Sequence, residues 1–88
     1  MGQAEFDKAV QDVKGLPEQP PDVLLRLYGL FKQATAGDAS GKRPGVLDFK
    51  GRAKYDAWAE RRGMSRESAM DAYVTAVEEL VARHSREA

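Results

Sequence analysis

The sequence YGLFKQA at residues 28–34 decides the fold, because it places two different rows of side chains on one predicted helix. At 3.6 residues per turn, Tyr28, Phe31 and Lys32 share one face of this helix. Leu30 belongs to a second row, which is purely apolar. One row can pack into a core while the other presents aromatic rings and a cation at the surface.

Two interpretations of the mixed face stay open at this point. The helix can be an ordinary amphipathic helix whose Lys32 extends its charged end to water. Alternatively, the face binds something both flat and anionic, and a phosphorylated nucleotide fits that description. The rest of the chain has to distinguish these two interpretations.

Length and composition predict one small globular domain spanning residues 1–88. Of the 88 residues, 42% are hydrophobic and 32% are charged, as in soluble proteins rather than disordered chains. No apolar run approaches the roughly 20 residues that cross a bilayer, so we expect no stable membrane insertion. The first residues lack the apolar segment of a signal peptide, and the sequence has no cysteine. A cytoplasmic location is the simplest expectation.

The charge distribution indicates a small anionic ligand. The net charge is zero, which argues against a general nucleic-acid or membrane-surface binder. Residues 37–66, however, carry eight cations against four carboxylates, while both flanking parts of the chain are net negative. A local basic centre in a neutral protein favours a small polyanion, although a solvated charged face explains the same numbers.

Apolar periodicity predicts four helices and no strands. The first helix ends at Gly15, and the second runs from an N-cap at Asp22 to about residue 36. The third covers about 50–61 after a cap at Asp48, and Ser65 caps the fourth. The residues expected to face inward are Phe6, Ala9, Val10, Val13, Leu27, Leu30, Ala34, Ala53, Ala57, Trp58, Ala69, Met70, Tyr73, Val74, Val77, Leu80 and Val81.

A long loop at residues 38–48 separates the second and third helices. Pro44 and Gly45 supply a turn signal within it. Val46, Leu47 and, just after the loop, Phe49 are expected to pack against the helices. Loops of this length in so small a domain are usually functional.

The residues do not assemble into a catalytic or metal site. His84 is the only histidine, and it is expected to be an exposed residue near the end of the last helix. No nucleotide-binding glycine motif, P-loop or zinc-protease motif is present. Binding is better supported than catalysis, because Lys50 and Lys54 lie one turn apart and Trp58 lies one turn further. We therefore expect no enzyme activity, no cofactor and no metal.

Three separated segments resemble the acyl-CoA-binding protein family: YGLFKQATAGD at 28–38, RPGVLDFKGRAKYDAW at 43–58 and SRESAMDAYVTAVEEL at 65–80. With matches in the first helix, the resemblance covers residues 3–82. It implies an all-α, four-helix, up-down-down-up bundle. It also implies a non-catalytic carrier and pool former for medium- to long-chain fatty acyl-CoA esters in lipid metabolism.

The resemblance also implies a ligand site. Tyr28 and Lys32 match the pair that holds the adenine and the 3′-phosphate, and Lys54 matches a lysine reaching the same phosphate. The other implied ligand residues are Lys14, Gly29, Leu30, Phe31, Lys50 and Tyr73, with Leu24 and Leu25 along the acyl chain. The family implies a monomer that makes transient contacts with acyl-CoA-using enzymes and binds no nucleic acid.

Two aromatic positions depart from the family pattern. Phe31 replaces the usual tyrosine, which keeps a ring but removes a hydroxyl. Tyr55 replaces the commoner tryptophan, so Trp58 is the only indole of the chain. On residue chemistry alone, two other classes stay open: a small helical nucleic-acid-binding module and a helical protein-interaction module.

Overall fold

The computed structural model describes residues 2–87, and within them the secondary structure is entirely helical. The four helices are α1 (Gln3–Lys14), α2 (Pro21–Ala36), α3 (Phe49–Ala59) and α4 (Arg66–Glu87). In this part of the chain, none of the helices is long and apolar enough to span a bilayer. The expected all-α architecture is confirmed.

The helices run up, down, down and up. Helices α2 and α3 are parallel, since Tyr28 lies beside Lys54 and, one turn later, Lys32 lies beside Trp58. Helix α4 is antiparallel to α2, since Phe31 packs on Tyr73 while Gly37, just after α2, approaches Arg66 at the start of α4. Helix α1 is parallel to α4, since Phe6 meets Tyr73, and Gln19, which follows α1, meets His84.

The core lies between α1, α2 and α4, because α3 packs only on α2. It follows the predicted apolar rows, which leave water when these three helices pack together. The polar Gln33 is buried among them. The buried hydrophobic residues of this core cluster are Phe6, Ala9, Leu27, Leu30, Ala34, Ala69, Tyr73, Val74, Ala76, Val77 and Leu80.

The predicted inward packing of α3 is only partly right. Ala53, Ala57 and Trp58 are half-buried, and no residue of α3 is fully buried. The physical reason is position, because α3 lies at the edge of the bundle with α2 as its only helical neighbour. A helix in this place keeps one face open, which is what a ligand site requires.

The helix ends confirm two predicted caps and correct two other details. Asp48 caps α3 by accepting the Gly51 amide at 3.0 Å, and Ser65 accepts the Ser68 amide at the same distance. Asp22 is not the N-cap of α2, because the helix begins one residue earlier at Pro21, whose fixed φ suits the first turn. Gly15 ends α1 with φ −89°, so its conformation is right-handed rather than left-handed.

Apart from the buried Ala39, the loop between α2 and α3 is held by polar contacts. Its charged anchor is Arg43, which donates two hydrogen bonds to the Asp56 carboxylate, at 2.9 and 2.7 Å. The expectation that Val46, Leu47 and Phe49 pack against the helices is wrong, since they are 66%, 86% and 75% exposed. Once the loop is fixed through its polar groups, these side chains are left in water.

Candidate ligand-binding site

Helices α2 and α3 approach each other most closely at Gly29. A Cβ atom built on Gly29 would lie only 2.4 Å from the carbonyl oxygen of Ala57 and 2.8 Å from its carbonyl carbon. Both are backbone atoms of α3, so they cannot move aside as a flexible side chain would. Glycine is therefore required here, and the contact fixes the register of the two helices.

Two lysines lie over two aromatic rings on either side of this contact. The Lys54 ammonium is 5.4 Å from the centre of the Tyr28 ring, and the Lys32 ammonium is 4.7 Å from the Trp58 ring. The indole N–H of Trp58 donates to the Gly37 carbonyl at 2.7 Å, which fixes the ring. We call these four side chains the cation–aromatic ladder. It presents two cations and two flat rings on one surface.

An apolar groove begins beside the ladder, between the first turns of α2 and α3. It encloses about 340 Å³ and is lined by Pro21, Leu24, Leu25, Phe49, Lys50, Ala53 and Lys54. Apart from two lysines, the lining is hydrocarbon, so the groove favours an aliphatic chain. Lys54 belongs to both the groove and the ladder, which makes the two sites continuous.

Another cleft of similar size is chemically unsuited to an anion. It lies between α1 and α4 and encloses about 310 Å³. Its rim carries the carboxylates of Glu5, Asp12 and Glu78, and the Lys8 ammonium pairs with Asp12 at 2.8 Å. A phosphate placed there would face net negative charge, whereas the ladder offers two cations.

Tyr73 contributes a hydroxyl to a cluster of three rings. Its ring centre lies 5.1 Å from that of Phe6 and 6.2 Å from that of Phe31, and the side chain is 5% exposed. Burial raises the pKa of this hydroxyl further above neutral pH, where a tyrosine is already protonated. It makes no hydrogen bond to the described residues 2–87, which leaves it able to donate to a ligand.

The structure separates the predicted site residues by their surroundings. It brings Tyr28, Lys32 and Lys54 together, and it places Lys50, Leu24 and Leu25 in the adjoining groove. Gly29 forms the helix contact, and Leu30 is 1% exposed, so its side chain lies in the core and supports its neighbours instead of presenting ligand-facing surface. Lys14 is exposed at the end of α1, apart from both the groove and the ladder.

Phe31 lies on the boundary between core and surface. It is half-buried, and its ring stacks with that of Phe6 at 5.9 Å. The prediction that Phe31 shares one face with Tyr28 and Lys32 is therefore only partly right. Those two side chains reach toward α3, while Phe31 packs toward α1 and α4.

Three groove residues and the aromatic partner of Lys32 were not predicted from the sequence. Pro21, Phe49 and Ala53 line the groove, and Trp58 carries Lys32 on its ring. Ala53 lies three residues after Lys50, on the same side of the helix, so sequence spacing could have placed it in the groove. The positions of Pro21 and Phe49 in the groove depend on how the first turns of α2 and α3 align. Spacing within one helix cannot predict that alignment.

The sole histidine is in a different environment from the expected one. His84 was expected to be exposed, but it is half-buried and hydrogen-bonded to the Gln19 amide at 2.9 Å. The Gln19 amide also donates to the Pro17 carbonyl at 2.8 Å, so the pair ties the α1–α2 connection to α4. Among the described residues, no cluster of three or more histidine, cysteine or acidic side chains could hold a metal ion.

Comparison with known proteins places this geometry in a family. The family model described as acyl CoA binding protein matches residues 3–77. An acyl-CoA-binding protein homolog of Manduca sexta is 52% identical over 82 residues, covering 91% of each chain. Acyl-CoA-binding protein homolog 1 of Caenorhabditis elegans is 49% identical over 80 residues, covering 90% of this chain and 93% of the relative.

Solved structures agree with the observed fold. The crystal structure of Oryza sativa acyl-CoA-binding protein 2 superimposes with a TM-score of 0.95 at 40% identity, covering 98% of this chain and 97% of the other. The crystal structure of the Moniliophthora perniciosa protein gives a TM-score of 0.88 at 43% identity, covering 94% and 83%. By sequence and by fold, this chain belongs to the acyl-CoA-binding protein family.

Proposed function

We propose that this protein binds fatty acyl-CoA esters, with the nucleotide on the cation–aromatic ladder and the acyl chain in the α2–α3 groove. One observation carries the proposal: Lys54 lines the apolar groove and also lies over the Tyr28 ring. A single ligand that spans both places must be anionic and flat at one end and aliphatic at the other. Acyl-CoA has this construction.

The head group draws on charge and stacking. Lys32 and Lys54 contact the 3′-phosphate, Tyr28 stacks on the adenine, and the Tyr73 hydroxyl donates to the nucleotide. Lys50 adds positive charge at the groove, and Lys14 adds positive charge at the end of α1. Hydrogen bonds to charged groups contribute roughly 1.5–3 kcal/mol each, so two lysines on one phosphate dominate head-group affinity.

The acyl chain contributes a binding free energy similar in size to that of the head group. Each methylene group buried along Leu24 and Leu25 is worth at most about 0.8 kcal/mol. Association and ordering of a long flexible ligand oppose binding by several kcal/mol, on the order of the usual association cost. Medium- to long-chain esters are therefore the preferred ligands, because neither the head nor a short tail alone overcomes that cost.

The cellular role that follows is that of a carrier. The chain acts as one acyl-CoA-binding domain that holds the ester in the cytoplasm without changing it chemically, forming a pool for enzymes of lipid metabolism. Transfer requires only transient contacts with those enzymes and a monomeric carrier. A nucleic-acid module is disfavoured because the net charge is zero. Neither it nor a pure protein-interaction module accounts for an apolar groove that continues into two lysines over aromatic rings.

A three-ligand titration tests the proposal. We expect palmitoyl-CoA to bind more tightly than free CoA and palmitate by about tenfold or more, because each fragment leaves half of the site unused. Isothermal calorimetry below the micellar concentration gives all three affinities on one protein sample. Equal affinities for palmitate and palmitoyl-CoA would make this a fatty-acid carrier. If neither palmitoyl-CoA nor free CoA bound, the proposed function would be rejected.

Restoring a hydroxyl at Phe31 tests the boundary between core and site. If the hydroxyl of Phe31→Tyr reaches the bound nucleotide, we expect affinity for palmitoyl-CoA to rise by about 0.5–1.5 kcal/mol. If it is instead trapped against Phe6, unfolding free energy should fall by about 1–3 kcal/mol with affinity unchanged. The half-buried position of Phe31 favours the first outcome. Thermal unfolding and calorimetry on the same variant distinguish the two, and Trp58 fluorescence reports ligand binding.

A further inference from the structure

The carboxylate of Asp38 ties the end of α2 to the turn between α3 and α4. Its Oδ1 atom accepts one hydrogen bond from the Gly63 backbone amide and another from the Gln33 side-chain amide, each at 2.8 Å. Gln33 is buried and also donates to the Met64 carbonyl at 2.8 Å. We call these four residues the polar knot. Asp38 itself is exposed, and it lines neither the groove nor the cation–aromatic ladder.

The residue before Asp38 holds the indole of the ladder. Gly37 follows α2 with φ +82°, a left-handed conformation that favours glycine. Its carbonyl oxygen accepts the Trp58 indole N–H at 2.7 Å, and the indole ring carries the Lys32 ammonium at 4.7 Å. These contacts form a series, because Asp38 fixes the chain at Gly37 and the Gly37 carbonyl fixes the ring. The ring in turn holds the lysine.

Loss of the Asp38 carboxylate would be transmitted to the indole. Gln33 would keep the Met64 carbonyl but have a buried N–H without an acceptor, and the Gly63 amide would lose its partner. Polar groups left unpaired in this way favour local rearrangement of the chain around them. The indole has a single N–H donor and is half-buried on α3, at the edge of the bundle. Packing alone therefore restrains its ring weakly.

We propose that Asp38 is a positioning residue for the nucleotide site, which acts through Gly37 to hold the Trp58 ring under Lys32. The lysine is then in place before the 3′-phosphate arrives. Asp38 touches no part of the ligand in this arrangement. Its effect on the indole is a property of the free protein, whereas its effect on phosphate recognition rests on the proposed function above.

The first test needs no ligand. Trp58 is the only indole of the chain, so acrylamide quenching of its fluorescence reports the exposure of this ring in the free protein. We expect Asp38→Ala to raise the quenching constant by about twofold, because the loop opens locally. Asp38→Asn keeps an oxygen that accepts from Gly63 and Gln33, so its quenching constant should stay within about 1.2-fold of wild type. Unchanged quenching in Asp38→Ala would overturn the proposal.

The second test measures the phosphate preference, which is the affinity for palmitoyl-CoA divided by that for the palmitoyl ester of dephospho-CoA. The second ester lacks the 3′-phosphate. Asp38→Ala should lower this ratio by about threefold or more, because palmitoyl-CoA binds more weakly while the affinity for the other ester stays within about twofold. Asp38→Asn should keep the wild-type ratio. A wild-type ratio in Asp38→Ala would overturn the role in phosphate recognition.

Val81→Ala is the control for a loss of stability alone. Val81 packs against the core in the second half of α4, outside the polar knot and the ladder. The melting temperature of this variant should fall by about 4–8 °C while its phosphate preference stays at the wild-type value. If Val81→Ala lowered the preference as much as Asp38→Ala, the effect would follow from stability, and the positioning role would be wrong.

A double-mutant cycle shows whether Asp38 acts through the indole. Trp58→Phe keeps a ring under Lys32 and removes the N–H that reaches the Gly37 carbonyl. It should lower the phosphate preference by about threefold, and the further change Asp38→Ala should lower it by less than about 1.5-fold more. Full losses that multiply in the double variant would overturn the proposal.

Trp58→Phe also decides the proposal if Asp38→Ala does not fold. A wild-type phosphate preference in Trp58→Phe would show that the indole N–H positions nothing, which would overturn the positioning role. If wild type itself bound the two esters equally, the phosphate contact of the proposed function would be refuted. The quenching measurement would still decide whether Asp38 holds the indole.

Discussion

Replacing Gly29 by alanine is expected to lower the unfolding free energy by about 2 kcal/mol and to weaken acyl-CoA binding by about tenfold or more. The added methyl group would lie 2.4 Å from the Ala57 carbonyl oxygen. Relief of that overlap requires α2 and α3 to separate by about 1 Å, since ordinary contacts of this kind start near 3.4 Å. Among the glycines, only Gly29 would place an added methyl group this close to the backbone of another helix.

Two opposing effects set the size of the stability change. Alanine is favoured over glycine inside a helix by about 1 kcal/mol. Overpacking a tight contact typically costs about 1–3 kcal/mol, and the upper end applies because both opposing atoms are backbone. The loss therefore exceeds the gain, with a net loss of about 2 kcal/mol. Affinity falls further because the two rungs of the ladder, Tyr28–Lys54 and Lys32–Trp58, lie on either side of the widened contact.

Denaturant unfolding and calorimetry with palmitoyl-CoA measure these two effects. Gly45→Ala is the matched control, because a Cβ on Gly45 meets no atom within 4 Å. The control should change stability by less than about 0.5 kcal/mol and leave affinity unchanged. A Gly29→Ala protein as stable and as tight-binding as wild type would show that the close helix contact is dispensable.

The helices and most of the core could be predicted because their signals are local. Apolar spacing identified Phe6, Leu30 and Val77 as buried, and the caps at Asp48 and Ser65 each need only the next three residues. The buried Gln33 had no such signal. Its amide donates to the Asp38 carboxylate and the Met64 carbonyl, each at 2.8 Å. These partners come together only after the bundle forms.

The candidate site could be predicted within each helix but not between helices. Lys50 and Lys54 are one turn apart, so their shared face follows from sequence spacing. The pairing of Lys32 with Trp58 depends on the register of α2 against α3, which is set at Gly29. A glycine in a helical segment indicates close packing, but the sequence does not show which residue packs against the glycine.

The loop before α3 shows why hydrophobicity alone misleads. Leu47 was expected to be covered because apolar side chains usually leave water. The loop is instead fixed by polar groups, including the Tyr55 hydroxyl, which donates to the Gly41 carbonyl at 3.1 Å. The energies of those contacts depend on partners that are distant in sequence. Leu47 therefore stays exposed although its side chain is apolar.

Lys32→Ala and Lys54→Ala are each expected to weaken palmitoyl-CoA binding by more than about tenfold, or about 1.4 kcal/mol. Both ammonium groups already lie over aromatic rings, 4.7 and 5.4 Å from the ring centres. In the free protein these contacts hold the cations close to the surface proposed for the nucleotide. A phosphate that arrives there meets charges that need little further ordering.

The same contacts predict that folding is less sensitive than binding. A cation over an exposed ring contributes about 0.5–1 kcal/mol, so each alanine variant should lose no more stability than that. A hydrogen bond from an ammonium to a phosphate contributes roughly 1.5–3 kcal/mol, which exceeds the ring contact. The loss of affinity should therefore be larger than the loss of stability, whereas a purely structural lysine would show the reverse.

The ester of dephospho-CoA, which lacks the 3′-phosphate, separates a phosphate contact from general electrostatic attraction. Wild type should bind this ester more weakly than palmitoyl-CoA by about tenfold or more. Lys32→Ala and Lys54→Ala should each show a smaller preference between the two esters than wild type, because each variant keeps one lysine on the phosphate. Lys42→Ala is the control, because Lys42 is exposed in the loop and does not line the groove. It should retain the wild-type preference within about twofold, since a screened charge away from the ligand contributes little. If wild type bound the two esters equally, Lys32 and Lys54 would not contact the 3′-phosphate, and the ladder would bind another part of the nucleotide.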